Sequence, residues 1–275
     1  MRLFKKVAVI GVGLIGGSIA AAIKKNNLAG TVVGTSRHKK NLLLAKRRRA
    51  IDKGSQDLSV IRGADLVIIA VPVGSVLRLA PQIAKLIGPE CIVFDVASTK
   101  QAIVTKLSRV FPRYVGSHPM AGSEKRGITN SDPGMFKGST CILTPTPKTD
   151  KKVLLKVRKL WVCLGAKVIV MPSASHDRAL SFVSHLPHIA AFSLINSVPQ
   201  QYFKFAASGL RDTTRIAASD SEIWSSIFLS NRKNLLFAVR SLEKNIAAIK
   251  KAIAAKDINN LNKILKSAKK KRDNL

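Results

Sequence analysis

Near the amino terminus Gly11-Val12-Gly13-Leu14-Ile15-Gly16 follows a short apolar run and opens a segment of helical periodicity. Glycines at that spacing, between a strand and a helix, suit a bound pyrophosphate. Gly11 permits a tight turn, Gly13 lets the backbone approach the anion, and Gly16 lets helix and strand pack closely. Leu14 and Ile15 complete the turn, and the helix N-terminus adds unpaired N–H groups. About 20 residues further on, an NAD-binding unit places an acid against the ribose 2′-hydroxyl. Here the chain has Thr35-Ser36-Arg37-His38-Lys39-Lys40 and no acid. A hydroxyl and a guanidinium suit a 2′-phosphate, so NADP is expected in preference to NAD, with NAD possible. The plainer reading of Arg37 to Lys40 is a solvated helix start. Val71-Pro72 ends the third apolar run and is expected to line the same crevice.

Two further apolar runs end in polar clusters, Asp95-Val96-Ala97-Ser98-Thr99-Lys100 and Gly116-Ser117-His118-Pro119-Met120-Ala121-Gly122-Ser123-Glu124-Lys125. In open α/β sheets ligands bind beyond the carboxyl ends of the strands, so Ser98 and His118 are expected to meet beside a bound nicotinamide. A single histidine is more often structural than catalytic. The position of His118, in a chain with 5 His, favours general acid–base work. His185 and His188 share a helix face and have metal-ligand spacing, but no carboxylate or cysteine near them completes a set, and no metal is expected.

The elements that must hold these residues follow from periodicity. Apolar runs at 7–10, 31–34, 66–71, 92–96, 114–116, 140–143 and 167–171 read as strands. Segments 16–26, 39–49, 75–87, 100–107 and 151–164 between them read as helices. This alternation predicts a Rossmann-type, doubly wound parallel sheet in an α/β fold, residues 1–171. After Pro172 the pattern becomes helical at 175–197, 200–218, 221–254 and 257–271, which predicts an all-helical second domain over 172–275. Pro187 should kink the first of these helices. The apolar stripe Ile223, Ile227, Leu235, Val239, Leu242, Ile246 and Ile249 needs cover, either within the chain or across a two-fold dimer interface.

The 275 residues carry 47 Lys+Arg against 15 Asp+Glu, a formal net charge of +32. That excess invites a nucleic-acid reading. The charge is spread along the chain, however, with dense runs only at 46–49 and 269–272, and stacking aromatics make up just 5% of it. No specific nucleic-acid partner is expected; the charge draws anionic ligands towards a cleft. Cys91, Cys141 and Cys163 are odd in number and scattered, which suits a reducing, cytoplasmic setting. The uncharged stretch 7–23 after a basic start looks like a secretion signal. Gly11, Gly13, Gly16 and Gly17 interrupt it at phosphate-turn spacing, and the turn is preferred. No other stretch is expected to span a bilayer, which takes about 20 apolar residues.

Taken in order, the glycine turn, residues 95–100, residues 116–122, Ser184-His185-Leu186-Pro187-His188, and Gly209-Leu210-Arg211-Asp212-Thr213-Thr214-Arg215 followed by Ser219-Asp220 and Trp224 resemble the prephenate and arogenate dehydrogenases of tyrosine biosynthesis. The resemblance spans nearly the whole chain. It implies a dinucleotide domain, a helical homodimerisation domain, an active site between them, and oxidative decarboxylation of a cyclohexadienyl substrate, prephenate or arogenate. By the same resemblance His118 takes a hydrogen bond or proton from the substrate hydroxyl, and Ser98 orients hydroxyl, imidazole and nicotinamide. Arg215 holds a carboxylate, Arg211 adds charge, His188 touches substrate while His185 is structural, Ser123 and Glu124 lie on the pocket loop, and Trp224 shapes the pocket or fills the core. Prephenate is slightly favoured. Ser208-Gly209-Leu210 departs from the family's paired glycines and puts side-chain specificity in question. No appended regulatory domain is expected after the helical domain. A β-hydroxyacid or imine reductase, the alternative of similar plan, would need a catalytic Lys in the helical domain instead of His118 and Arg215.

Overall fold

Alternation within the apolar runs decides which side chains meet which helices. In β1 (Phe4–Ile10) Val7 and Val9 enter one buried cluster, while Ala8 and Ile10 enter a second. Both faces of the strand are therefore covered, as a parallel sheet requires. The computed structural model describes residues 2–121 and 127–275. Within them β2 (Ala29–Thr35), β3 (Lys53–Ser55), β4 (Leu66–Ile69), β5 (Ile92–Asp95), β6 (Tyr114–Pro119), β7 (Thr140–Thr144) and β8 (Lys167–Val170) join β1 in one sheet of order β3-β2-β1-β4-β5-β6-β7-β8. Five helices intervene: α1 (Leu14–Lys25), α2 (Lys39–Arg47), α3 (Val73–Ala84), α4 (Gln101–Val110) and α5 (Lys151–Cys163). Helices α1, α2 and α5 pack on the face of Val7 and Val9, and α3 and α4 pack on the other. The strand order reverses between β1 and β4, which opens a crevice at their carboxyl ends.

The sheet departs from expectation at two places. Strand β3 has the sequence Lys-Gly-Ser and no apolar period, so nothing in it announces a strand; it exists by pairing with Val33 to Thr35 of β2. Strand β7 runs antiparallel to β6, with His118 opposite Ile142 and Pro119 opposite Cys141, so the parallel sheet is interrupted there. Among the described residues only a short 3₁₀ turn (Ile128–Asn130) lies between β6 and β7, and α5 then restores parallel pairing between β7 and β8.

Beyond β8 the chain is helical: α6 (Ser173–Leu180), a π-helical turn (Ser181–His185), α7 (Leu186–Asn196), α8 (Ser208–Thr214), α9 (Ser221–Ser230), α10 (Arg232–Ala254) and α11 (Ile258–Arg272). The expected helix over 200–218 is broken into α8 with 3₁₀ turns at Gln200–Phe205 and Arg215–Ala218. The expected helix over 221–254 divides at Asn231, whose backbone leaves the helical region at φ −111°, ψ 26°. Pro187 falls in the first turn of α7, directly after the π turn, where its missing N–H and fixed φ are tolerated. Helical structure thus runs from Ser173 to Asn196, 24 residues that include an 18-residue window of mean hydropathy 1.2, long and apolar enough to cross a bilayer by length and composition alone. That corrects the expectation that only residues 7–23 approach such a length. The run is studded with His176, Asp177, His185 and His188, three of them buried against the sheet domain or α10. In the apolar stripe Ile227 and Leu235 are buried within the chain, while Ile223 and Ile246 stay exposed together with Leu236 and Phe237.

Candidate active site

The dinucleotide end is built from consecutive residues. The amides of Gly11 and Val12 donate to Thr35 O (3.0 and 3.2 Å), tying the turn to the end of β2. Gly11 holds φ +95°, and a Cβ there would stand 2.4 Å from Ala70 O and 2.8 Å from Val71 Cγ1. A Cβ on Gly16 would stand 2.1 Å from Gly11 O, whereas one on Gly13 would meet nothing within 4 Å. Gly11 and Gly16 therefore serve the fold, and Gly13 faces open space at the start of α1. No side chain caps that helix, so its first amides are available to an anion. Val71 and Pro72 border the same crevice, with Pro72 capping α3. Ser36 follows β2 and accepts from the His38 amide (3.2 Å), and Arg37 and His38 are exposed beside it. A pyrophosphate-bearing cofactor fits this cradle: the turn is held open by glycine, its helix terminus is uncapped, and the Ser36 hydroxyl and Arg37 guanidinium follow the end of the neighbouring strand β2.

The histidine end is assembled from distant segments. His118 lies on β6, 9% exposed, and its Nδ1 meets His176 Nε2 at 2.9 Å. His176 Nδ1 donates to Asp177 Oδ1 (2.8 Å). The same carboxylate accepts from the amides of Lys100 (2.7 Å) and Gln101 (2.9 Å), so a side chain of α6 caps the N-terminus of α4. Below them Lys100, wholly buried, pairs with Asp95, which also accepts from Tyr114 (2.6 Å) and the Ala97 amide (2.9 Å). Burial holds His118 well below the usual imidazole range, and His176, the Lys100 ammonium and His185 push it the same way. His118 is therefore a neutral base at ordinary pH. Burial also lowers His176, against the pull of Asp177. For Asp177 burial acts upward but is outweighed by the hydrogen bonds from His176, Gln101 and Lys100, and the carboxyl stays ionised.

Ser98 lies three residues beyond β5 and is half-buried; His118 sits two residues beyond Gly116, which pairs with Asp95. The two thus leave adjacent strands at one sheet edge. On the helical side His188 stacks on Trp224 with ring centroids 3.4 Å apart, and its Nδ1 donates to Ser184 O (2.9 Å). Burial lowers His188; the Ser184 bond opposes this, and the positive charge of Arg215 adds to it. The 3₁₀ turn Arg215–Ala218 packs on α7, the helix that carries His188. Arg211 is exposed and donates to Ala206 O (3.3 Å). His185 is buried, with Nδ1 accepting from Asn231 Nδ2 (3.2 Å) and its ring edge-on to Trp224. Both histidines of this pair are engaged by protein, and among the described residues no three His, Cys, Asp or Glu side chains are grouped to hold a metal ion. Ser123 and Glu124 lie outside the described residues.

Residues 19–170 match the family described as prephenate dehydrogenase, nucleotide-binding domain, and residues 172–267 match prephenate dehydrogenase, dimerization domain. A prephenate dehydrogenase of Bacillus subtilis is 35% identical over 280 residues, covering 98% of this chain and 76% of that protein. The chain belongs to the prephenate dehydrogenase family. Among solved structures, prephenate dehydrogenase from A. aeolicus in complex with hydroxyphenyl propionate and NAD+ is similar at TM-score 0.93 and 33% identity, covering 98% of each chain. Arogenate dehydrogenase from Synechocystis is similar at TM-score 0.84 and 28% identity, covering 98% of this chain and 99% of that one. The protein is accordingly an NAD(P)-dependent oxidoreductase of the prephenate/arogenate dehydrogenase type, acting in aromatic amino-acid biosynthesis with a nicotinamide dinucleotide.

Sequence reasoning about this family member missed His176, Asp177 and Asn231. Asn231 Nδ2 donates to Asp177 O (2.7 Å) as well as to His185, so it joins the two histidine groups. Their one signal in the sequence is density: three of the 5 His fall within the single helical run Ser173–Asn196. Lys100 and Asp95 stood in a recognised polar cluster, but nothing in their spacing announced a buried ion pair.

Proposed function

We propose that the protein is a prephenate dehydrogenase that prefers NADP, converting prephenate to 4-hydroxyphenylpyruvate and carbon dioxide. The observation that carries this reading is a neutral, buried His118 at the same sheet edge as the glycine turn, bonded to a helical domain in which the turn beginning at Arg215 packs on the helix of His188. The nicotinamide, when bound, accepts the hydride from the ring carbon that bears the 4-hydroxyl. His118 takes the hydrogen bond or proton of that hydroxyl and so raises electron density at the carbon losing hydride. The pair left by departing carbon dioxide completes the aromatic ring, which makes the step effectively irreversible. Ser98 orients the hydroxyl, and Arg215 holds a substrate carboxylate in a bidentate pair that a planar guanidinium suits. Arg211 adds positive charge, His188 touches substrate with Trp224 at its back, and Ser123 and Glu124 are assigned to substrate binding by the family resemblance alone. Gly11, Gly13, Leu14, Ile15 and Gly16 receive the pyrophosphate; Ser36, Arg37 and His38 receive the 2′-phosphate; Val71 and Pro72 wall the crevice.

Residues 1–171 carry the cofactor in this reading, and residues 172–275 carry substrate contacts and a homodimer interface. Exposed Ile223, Leu236, Phe237 and Ile246 support the interface, since a single chain leaves them uncovered. Cytoplasmic placement is supported by three free cysteines, of which Cys91 and Cys141 are buried and have thiols pushed up to about 12, mainly by burial. Arogenate is the second reading: Ser208-Gly209-Leu210 lies on α8 near the Arg211 and Arg215 positions and bears on the substrate side chain. The deciding assay follows reduced-nicotinamide formation by the purified, folded dimer with prephenate or arogenate, crossed with NADP or NAD. Highest turnover with prephenate and NADP is expected. A best pair containing arogenate or NAD replaces that half of the proposal, and silence in all four removes it.

A further inference from the structure

We propose that His176 and Asp177 are positioning residues: together they lock His118 in the tautomer that carries its proton on Nδ1, leaving Nε2 as the hydrogen-bond acceptor. The argument follows the donors and acceptors from one end. Asp177 Oδ1 already accepts the Lys100 amide at 2.7 Å and lies 2.8 Å from His176 Nδ1. An ionised carboxylate only accepts, so His176 Nδ1 must carry a proton. In a neutral imidazole the other nitrogen is then a bare acceptor, and this is the nitrogen 2.9 Å from His118 Nδ1. His118 must donate from Nδ1, which fixes the lone pair on Nε2, the nitrogen free of protein partners among the described residues.

The low proton affinities of both rings and the ionised state of Asp177 agree with this assignment. Two features keep the chain rigid. Asp177 is held by both amides at the start of α4 and His176 is wholly inaccessible, so neither can rotate to offer the alternative pairing. The edge-on packing of the two rings, centroids 5.1 Å apart at 60°, points one nitrogen of each at the other. Because His118 belongs to β6 and the other two to α6, the sheet domain alone leaves the imidazole free to choose its tautomer. Docking of the helical domain makes it a base of defined direction.

The proposal rests on His118 as the reacting base, yet it can be read without turnover. In protein labelled with ¹⁵N-histidine, assigned by single replacement of each of the 5 His, the ring nitrogens of His118 report which one is protonated. In the wild-type apoprotein at neutral pH, His118 is expected to show a protonated Nδ1 and a bare Nε2. A protonated Nε2 overturns the proposal whatever the enzyme's activity. In Asp177→Asn an amide can donate to His176 and reverse the chain, and the expected result is a mixed or inverted His118 tautomer. Its kcat should fall about 10- to 100-fold with KM changed less than about threefold, within the range that general acid–base catalysis supplies. A loss of kcat with the wild-type tautomer retained would mean that Asp177 is structural and would overturn the role given to it. If Asp177→Asn does not fold, the wild-type spectrum still decides the tautomer, and His176→Gln supplies the variant. Absence of turnover in wild type, with the expected spectrum, would remove the substrate reading and leave this chain of hydrogen bonds standing.

Discussion

The two ends of the active site are made in opposite ways. At the dinucleotide end a run of six residues folds on itself, and its binding groups are backbone amides, which carry no ionisable proton and need only correct torsions. At the histidine end the working groups come from β6, α4, α6 and α10, and each depends on the charge and protonation of another. A local, backbone-built site tolerates changes in acidity and fails through sterics. A long-range, side-chain-built site fails through protonation. The contrast teaches where each kind of perturbation should strike.

The largest effect should follow removal of the base. His118→Asn should lower kcat by about 10²- to 10⁴-fold while dinucleotide binding, followed by quenching of Trp224 or Trp161 fluorescence or by calorimetry, stays within about threefold. Turnover within about tenfold of wild type would dissolve the distinction between a binding end and a chemical end.

Acid should act next, and at the histidine end. His185 is lowered to about 4 from an ordinary 6.5, first by burial and then by the neighbouring His176 and His188 acting against Asp177. A base whose folded-state pKa is depressed contributes its full stability above the unfolded value of 6.5 and loses it as pH falls towards 4. For His185 the loss is about 3 kcal/mol. His118 and His176 shift in the same direction and steepen the fall. Urea unfolding between pH 7 and pH 4.5 should show this decline. In His185→Gln, where the amide can keep a bond to Asn231, the slope should be shallower. An unchanged slope would mean that His185 is not the group titrating.

The smallest effects separate the glycines. Gly11→Ala places a Cβ 2.4 Å from Ala70 O at φ +95° and should lower Tm by about 5 °C or more. In Gly13→Ala the Cβ meets no protein atom within 4 Å. Its Tm should stay within about 2 °C, and the dinucleotide KM should rise about tenfold, equivalent to about 1.4 kcal/mol. Equal losses of Tm would erase the division between folding glycines and a ligand-facing glycine.

Much of this plan could be read from the residues themselves. The glycine turn, Ser36 to His38, Val71-Pro72 and the strands that aim Ser98 and His118 at one edge follow from short-range pattern, because turn torsions and the period of two in a strand are properties of neighbouring residues. Pattern also separates the sheet domain from the helices, since α/β alternation gives way to helical period at Pro172. Pattern failed where a partner supplied the reason. Strand β3 exists because β2 offers it hydrogen bonds, β7 reverses because of how the chain returns to β6, and the helix over 221–254 breaks because the Asn231 side chain is claimed by Asp177 and His185.

The sequence by itself determined a dinucleotide fold, a helical partner domain, a family and a histidine at the right edge. Only the tertiary structure decided that His118 is buried and neutral, that His176 and Asp177 stand behind it, and that the turn beginning at Arg215 packs on the helix of His188. Proton affinity depends on desolvation and on charges a few ångströms away, and those distances are set by folding rather than by separation along the chain.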